Sequence, residues 1–529
     1  MSRALGCHAH ACVGMYAPVS VIRRACPRKR GHGTHHLFCY AAQPRKQSSV
    51  RMEKHLSPTY HKPPADRRKP PSAHLVGIGG SGMRSLAEVL LADGWKLSGS
   101  DLAELPGTSL ADAGVSIHHG HHAENLPADT ELVVHSDAIA ADNPELRRAA
   151  ELGVPTRSYF EMLGRLMRGR HGLAVAGTHG KSTTTAMAAK LLSESGLDPT
   201  VICGARPLEN GHRVPLPARP AVPHQEGERI MLVEACEYRA NFLHLRPRHA
   251  VILGIEPDHF DFYRSPEELE DAFSRFARSI PHDGLLLARH DCPVTRRISA
   301  GSACGVETFG IGPGADWTAD ELSPRLGRYD FRLSRRGRPL GEVTLRVPGR
   351  HNVLNAVAAA ALASHNGVSP EAIPRALGQF RGLRRRLQWR GLWRGVRLVD
   401  DYAHHPTEVA AALSTVRSMF PGRPLWCVFQ PHQTSRTACL LDELAESMQN
   451  VDRLLVAEIF RAREPSPRPG EVTAADLARR AEMAGASVHH IHEKNEIVRL
   501  LETRLESGDV LLTMGAGDIG SICDRLLAT

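Results

Sequence analysis

The stretch that decides how this chain is read is Gly177-Thr178-His179-Gly180-Lys181-Ser182-Thr183-Thr184-Thr185. It follows the apolar run Leu173-Ala174-Val175-Ala176 and leads into Ala186-Met187-Ala188-Ala189-Lys190-Leu191-Leu192. That order predicts a buried strand, a glycine turn and a helix with an apolar face. A helix that starts at a glycine turn aims free N–H groups and the positive end of its dipole at one point, and phosphate is the usual guest there. Lys181 brings a point charge to the terminal phosphates, and the Ser182 hydroxyl is a ligand for Mg²⁺. The full G-x-x-x-x-G-K-[ST] pattern lacks its first glycine, whose place Val175 takes. A nucleoside triphosphate site is expected.

The rest of the composition limits what that site can belong to. A chain of 529 residues holds about three domains. No run of 18 or more apolar residues occurs, so no membrane insertion is expected. The net charge of +9 suggests nucleic acid until its distribution is seen. Residues 1–72 carry fourteen Lys and Arg against two acidic residues, a balance of +12 that leaves the rest at −3. The basic character belongs to the tail, and no nucleic-acid partner is expected. The tail's cysteines lack C-x-x-C spacing, it has no sustained periodicity, and disorder is expected, with Met52 a second plausible start. The seven later cysteines stand singly, as in a reduced, cytoplasmic protein.

Upstream of the phosphate loop, His74-Leu75-Val76-Gly77-Ile78-Gly79-Gly80-Ser81-Gly82-Met83 is a strand running into G-x-G-x-x-G, with Gly77, Gly79 and Gly82 at the glycine positions. A helix is expected over Ser85 to Asp93, then a strand ending at Asp101, where a Rossmann fold places its ribose carboxylate. Alone, this fingerprint suggests a nicotinamide-dependent oxidoreductase. A glycine turn cradles any diphosphate, however, including that of a UDP-sugar. Glu131 to Ile139 predicts a further strand with Ser136 near its polar end.

Downstream, Arg229 to Glu237 is an apolar strand ending in Glu234 and Glu237, and a carboxylate beside a phosphate loop is the usual Mg²⁺ anchor. His249 to Asp261 repeats the design and ends in Glu256, Asp258, His259 and Asp261. A surface loop is expected over Arg213 to Pro223, and a hairpin around Arg336-Gly337. Asn352 and Asn355 precede an alanine-rich helix expected from Ala356 to Ser364, where they could cap the helix or face a base edge. Arg381-Gly382-Leu383-Arg384-Arg385-Arg386 closes this region. Strands then end at Asp400-Asp401-Tyr402-Ala403-His404-His405, at Phe429 and at Met514. Arg436, in the loop after Phe429, suits a free α-carboxylate by bidentate bonding.

Taken together, Gly177–Thr185, Glu234, Pro257-Asp258-His259 and His351-Asn352-Val353-Leu354-Asn355 resemble the Mur ligases of peptidoglycan synthesis. The resemblance covers Ala73 to Thr529. Gly77–Met83 and Asp142-Asn143-Pro144-Glu145 narrow it to the branch that adds L-alanine to UDP-N-acetylmuramate, with the murein tripeptide ligase of recycling as the alternative.

The resemblance implies an α/β protein with a disordered basic extension (1–72), a Rossmann-like UDP-sugar domain (73–169), a central P-loop-type ATP domain with a mostly parallel sheet (170–386), and a Rossmann-like C-terminal domain (387–529). It implies ATP on Gly177, Thr178, His179, Gly180, Lys181, Ser182, Thr183, Asn352, Asn355 and Asp401. The UDP-sugar falls to Gly79, Gly80, Ser81, Gly82, Asp101 and Ser136, and the amino acid to Tyr402, His404 and Arg436. Lys181, Glu234 and His259 are the expected catalytic residues, with Ser182 and Glu234 as ligands of one Mg²⁺ and His259 of a second, in a monomer or weak homodimer. Four positions depart from the family's usual residues: Cys236, Tyr238, Asp137 and Gln433.

Overall fold

The computed structural model describes residues 69–105, 109–208, 229–462, 464 and 468–529. The expected tail disorder and the loop over Arg213 to Pro223 lie outside the described residues, apart from the last few residues of the 1–72 segment. Three sheets follow one another along the chain.

The first sheet contains β1 (Ser72–Val76), β2 (Lys96–Asp101), β3 (Ser116–His119), β4 (Leu132–His135) and β5 (Thr156–Ser158), all parallel in the order 3-2-1-4-5. This is a Rossmann-like half, with β1 buried along its whole length as a central parallel strand must be. The helix after β1 runs Ser81–Ala92, so it starts inside the glycine fingerprint and not at Ser85.

Nine strands make the second sheet: β6 (His171–Ala176), β7 (Thr200–Ile202), β8 (Ile230–Glu234), β9 (His249–Ile252), β10 (Leu285–Arg289), β11 (Gly305–Ile311), β12 (Trp317–Arg325), β13 (Arg328–Arg335) and β14 (Arg338–Leu345). Their order is 14-13-12-11-10-9-6-8-7, parallel except for the antiparallel β12–β13–β14 end. The turn at Arg336 (φ 48°) and Gly337 (φ 73°) has both central residues left-handed, the arrangement that matches the strand twist of a two-residue hairpin. Helices Lys181–Glu194 and Arg350–Ser364 pack on each other on one face of this sheet. Ala356 to Ala363 are fully buried, and a helix apolar on every side has to be interior. The second helix begins at Arg350, ahead of the expected Ala356, which puts Asn352 and Asn355 in its first two turns.

The third sheet, β15 (Gln388–Trp393), β16 (Val396–Asp401), β17 (Leu425–Phe429), β18 (Arg453–Ala457), β19 (Val488–Ile491) and β20 (Val510–Met514), runs 15-16-20-17-18-19. Only β15 is antiparallel. Separate apolar clusters cover its two faces, as a doubly wound sheet requires.

The first two sheets share a core. Phe160, Leu163 and Leu166 of helix Tyr159–Met167 lie in one apolar cluster with Phe242, Phe273 and Phe276 of the second unit. A side chain at Gly164 would run into the His244 carbonyl, so the glycine permits that approach. Arg170 Nη2 meets Asp93 Oδ2 at 2.6 Å across the same junction, with both side chains less than a tenth exposed.

Candidate functional site

The carboxyl ends of β6, β8 and β9 converge on the phosphate loop. Gly180, at the helix N-cap, has φ 80°, a conformation that costs an L-residue strain, and its missing side chain leaves room for the Asn355 amide. Thr178 ties the loop to the end of β9: its N–H donates to the Gly254 carbonyl at 2.9 Å, and its hydroxyl donates to the Glu256 carbonyl at 3.1 Å.

Lys181 does not hang free over this loop. Its ammonium donates to the Gly177 and Thr178 carbonyls at 2.6 and 3.1 Å and lies 2.8 Å from Glu237 Oε2. Burial disfavours the ammonium ion, but Glu237 overrides it and raises the lysine's pKa. Burial likewise opposes ionisation of Glu237, and Lys181 with His259 holds it ionised. Ser182 Oγ donates to Glu234 Oε1 at 2.7 Å, while Gly204 N–H donates to Oε2 at 2.7 Å. His259, left-handed at φ 57°, lies 3.5 Å from Glu237, while Ser182 pairs with Glu234.

A cleft of 420 Å³ runs from these residues past Arg386 to the third domain, where Tyr402, His404, His432, Gln433 and Arg436 line it. Arg436 has partners of its own, with Nη2 2.7 Å from Asp258 Oδ1 and Nη1 donating to His432 Nδ1 at 2.8 Å. Burial keeps His404 and His432 neutral, lowered to about 4 and about 3.

A second cavity of 140 Å³ adjoins the loop and is lined by Asn352, Asn355, His351, Arg386, Asp401 and Glu408, among others. The two asparagines do not cap their helix. Asn355 Nδ2 donates to Asn352 Oδ1 at 3.0 Å, and Asn352 Nδ2 donates to the Pro348 carbonyl at 2.6 Å. Asp401 accepts the N–H groups of Leu387 and Ala403 at 2.6 and 2.7 Å, and burial raises its pKa to about 6.

Sequence reasoning did not single out Arg386, which lines both cavities. Its neighbour Arg385 turns away to the Gly515 and Gly517 carbonyls, and the three successive arginines carry no signal that separates them. Glu237 was visible as the next carboxylate along from Glu234, but its pairing with Lys181 was not.

The expected UDP-sugar residues gather at the carboxyl ends of β1, β2 and β4. Asp101 accepts the Gly79 and Ala103 N–H groups at 2.7 and 3.0 Å and so braces the glycine turn. Ser136 packs beside Gly77 and accepts the Ala138 N–H at 3.3 Å, while Gly80 and Ser81 are exposed at the helix start. Gly82 makes room for the Tyr159 hydroxyl. Asp137, a departure from the family pattern, accepts from Asn241 Nδ2 at 3.0 Å and so links the first two units.

Fold and site define a phosphate-loop enzyme of three α/β units, whose second and third enclose a cleft lined with charged groups. The chain matches the profiles of the Mur ligase family catalytic domain over residues 72–171, the Mur ligase middle domain over 175–363 and the Mur ligase glutamate ligase domain over 385–517. The UDP-N-acetylmuramate–L-alanine ligase of Alkaliphilus metalliredigens is 39% identical over 458 residues, covering 86% of this chain and 96% of that protein. Among solved structures, the UDP-N-acetylmuramate–alanine ligase of Thermotoga maritima matches with a TM-score of 0.69 at 26% identity, covering 86% of this chain and 98% of the other. A murein peptide ligase from Psychrobacter arcticus matches with a TM-score of 0.65 at 28% identity, again covering 86% and 98%. This chain belongs to the Mur ligase family. Family membership across all three units displaces the oxidoreductase reading of Gly77–Asp101.

Proposed function

We propose that the protein joins L-alanine to the lactyl carboxylate of UDP-N-acetylmuramate at the expense of ATP, in peptidoglycan precursor synthesis. The observation that carries this reading is the cleft that sets Lys181, Glu234 and His259 opposite His404, Gln433 and Arg436. It suits a reaction with one charged partner on each wall.

The substrate carboxylate attacks the γ-phosphorus of ATP, forming an acyl phosphate and releasing ADP. The neutral amine of L-alanine then attacks the acyl carbon, loses a proton and expels phosphate. Both reactants of the first step are anions, so the site has to offset their repulsion. Lys181, held cationic by Glu237, supplies fixed positive charge at the phosphate loop. Arg386, between the two cavities, supplies a second charge from the third-domain side. Asn352, Asn355 and Asp401 line the cavity that receives the nucleoside, and Gly79–Gly82 offer a helix N-terminus to the UDP diphosphate.

Ser182 Oγ and Glu234 Oε1, 2.7 Å apart, are paired oxygen donors of the kind a hard cation takes. Ser182 and Glu234 would hold Mg²⁺ there, and the ion would supply charge neutralisation for phosphoryl transfer. His404 and His432, kept neutral, add no positive charge to that of Arg386 and Arg436 on the amine side of the cleft. Closure of the third unit over the loop excludes water from the acyl phosphate. A cytoplasmic location follows from the substrates, and a monomer or weak homodimer is the assembly proposed.

Phosphate release with ATP and UDP-N-acetylmuramate, scanned across amino acids and the recycling tripeptide, tests this reading. L-alanine is expected to give the highest kcat/KM with ADP and phosphate in equal amounts. Preference for the tripeptide would move the protein to the recycling branch, whose murein peptide ligase shares the fold.

A further inference from the structure

Beside the phosphate loop, away from Ser182 and Glu234, two imidazoles and a carboxylate from two domains converge. His179 Nε2 lies 3.4 Å and His405 Nδ1 3.8 Å from the same oxygen, Glu256 Oε2. The three ligand atoms all lie within 4.8 Å of one another. His179 belongs to the loop, Glu256 follows β9, and His405 caps the helix Pro406–Met419 of the third domain.

We propose that His179, Glu256 and His405 form a binding site for a divalent transition-metal ion of the zinc type, distinct from the Mg²⁺ position. Two histidines with one glutamate and an open fourth place is a ligand set such ions take, whereas Mg²⁺ prefers oxygen donors throughout. A tetrahedral ion with ligands at about 2.0–2.1 Å needs them about 3.3 Å apart. Two of the separations, 3.4 and 3.8 Å, are already close to that, and the third, within 4.8 Å, has to close by at most about 1.5 Å, a rotamer-scale adjustment.

The far sides of the rings support the assignment. His179 Nδ1 is 3.2 Å from a Glu408 carboxylate oxygen, and His405 Nε2 is 3.2 Å from the Pro257 carbonyl. Metal-binding histidines characteristically donate their second ring N–H to such oxygens, which turns the other nitrogen's lone pair toward the ion. The Thr407 hydroxyl donates to Glu256 Oε2 at 2.5 Å and orients the carboxylate. Two competitors are present. The Thr407 N–H donates to His405 Nδ1 over a long 3.4 Å, and a proton sits between His179 and Glu256 without metal. The ion displaces both. His179 and Glu256 also line the 140 Å³ cavity, from which a fourth, water ligand would come.

A second cluster, Cys236, Glu237 and His259, offers a rival zinc ligand set. It is the poorer one, because the Lys181 ammonium lies 2.8 Å from Glu237 and repels a cation. The proposed ion instead ties the phosphate loop to the third domain, the two parts whose separation opens the cleft.

The test uses the full chain, stripped with a chelator, desalted and titrated calorimetrically with Zn²⁺ in millimolar Mg²⁺. One equivalent is expected to bind. His405→Ala and, as a second variant, Glu256→Gln should each weaken binding by about 100-fold, at least matching the loss of an outer partner. Cys236→Ser should change nothing. Co²⁺ loaded into the unmutated protein should show tetrahedral visible bands without a near-ultraviolet thiolate band, a readout that requires no variant. Absence of Zn²⁺ uptake, uptake indifferent to His405 and Glu256, or a thiolate band lost in Cys236→Ser would overturn the site. None of these readouts depends on which substrate the enzyme ligates.

Discussion

Asp258 and Arg436 reach each other across the cleft from different domains, Oδ1 to Nη2 at 2.7 Å, with both side chains less than a tenth exposed. The guanidinium that sequence reasoning reserved for a substrate carboxylate therefore also fastens the third domain to the loop after β9. Burial resists ionisation of Asp258, and the neighbouring His259 and Arg436 pull its pKa well below the usual carboxylate range. Breaking a buried pair from one side strands the other charge and costs about 3–5 kcal/mol. Asp258→Ala and Arg436→Ala are each expected to destabilise the protein in urea. The double variant should cost less than the sum, with a coupling of about 1–3 kcal/mol. Additive single effects would show that the pair does not fasten the domains.

Lys181 is expected to be indispensable for turnover, but it also has a structural partner that its motif does not reveal. Lys181→Ala leaves Glu237, only 1% exposed, without its cation, so both activity and thermal stability should fall. Lys181→Met combined with Glu237→Gln removes both charges and should recover most of the stability. It should still lose about 10²–10³-fold in kcat, the usual effect of deleting one group that stabilises transition-state charge. Recovery of activity along with stability would mean that Lys181 serves the fold alone.

His179 gives the junction of the second and third domains a pH dependence. Burial disfavours its cation, but Glu408 and Glu256 raise its pKa from 6.5 to about 9. A group whose pKa is raised on folding contributes its full stabilisation below the unfolded value and loses it as pH rises through the folded one. The contribution is therefore complete below about pH 6.5 and fades by about pH 9. Melting temperature in metal-free buffer should fall across that window, and His179→Gln should remove that part of the fall. An unchanged profile in the variant would assign the pH dependence to other groups.

What the sequence made legible follows from how local each signal is. The strand–glycine–helix units at Gly77 and Gly177 are specified by adjacent residues, and both fold as read. So does the Arg336-Gly337 hairpin, where a single turn fixes the register. The helix starts at Ser81 and Arg350 are less legible, because their first residues are exposed polar ones that carry no apolar periodicity. For Asn352 and Asn355 the sequence allows both capping and base contact, and the structure shows Asn352 bonded to the Pro348 carbonyl and to Asn355. Arg386, the Lys181–Glu237 pair and the Asp258–Arg436 pair depend on long-range closure. Residues 178 positions apart meet there, and no window of sequence contains that information.

Gln433 offers the sharpest test of amino-acid handling. It stands three residues before Arg436, at the N-cap of helix Thr434–Cys439, with φ 66° and its N–H donating to the Phe460 carbonyl at 2.9 Å. Arginine bears the same left-handed cost as glutamine, so Gln433→Arg should leave the fold intact. Where the family pattern has a cation, glutamine offers only neutral hydrogen bonds. The neighbouring cation, Arg436, is committed to Asp258 and His432, which weakens its hold on an incoming α-carboxylate. An added guanidinium should therefore lower the KM for L-alanine, with charge-assisted bonds contributing about 1.5–3 kcal/mol. The KM for ATP should hardly change, because Gln433 lines the wide cleft and not the nucleoside cavity. Crowding against Arg436 acts in the opposite direction, and a raised KM for alanine would show that Arg436 alone suffices. A larger effect on ATP than on alanine would remove Gln433 from the amine side of the cleft.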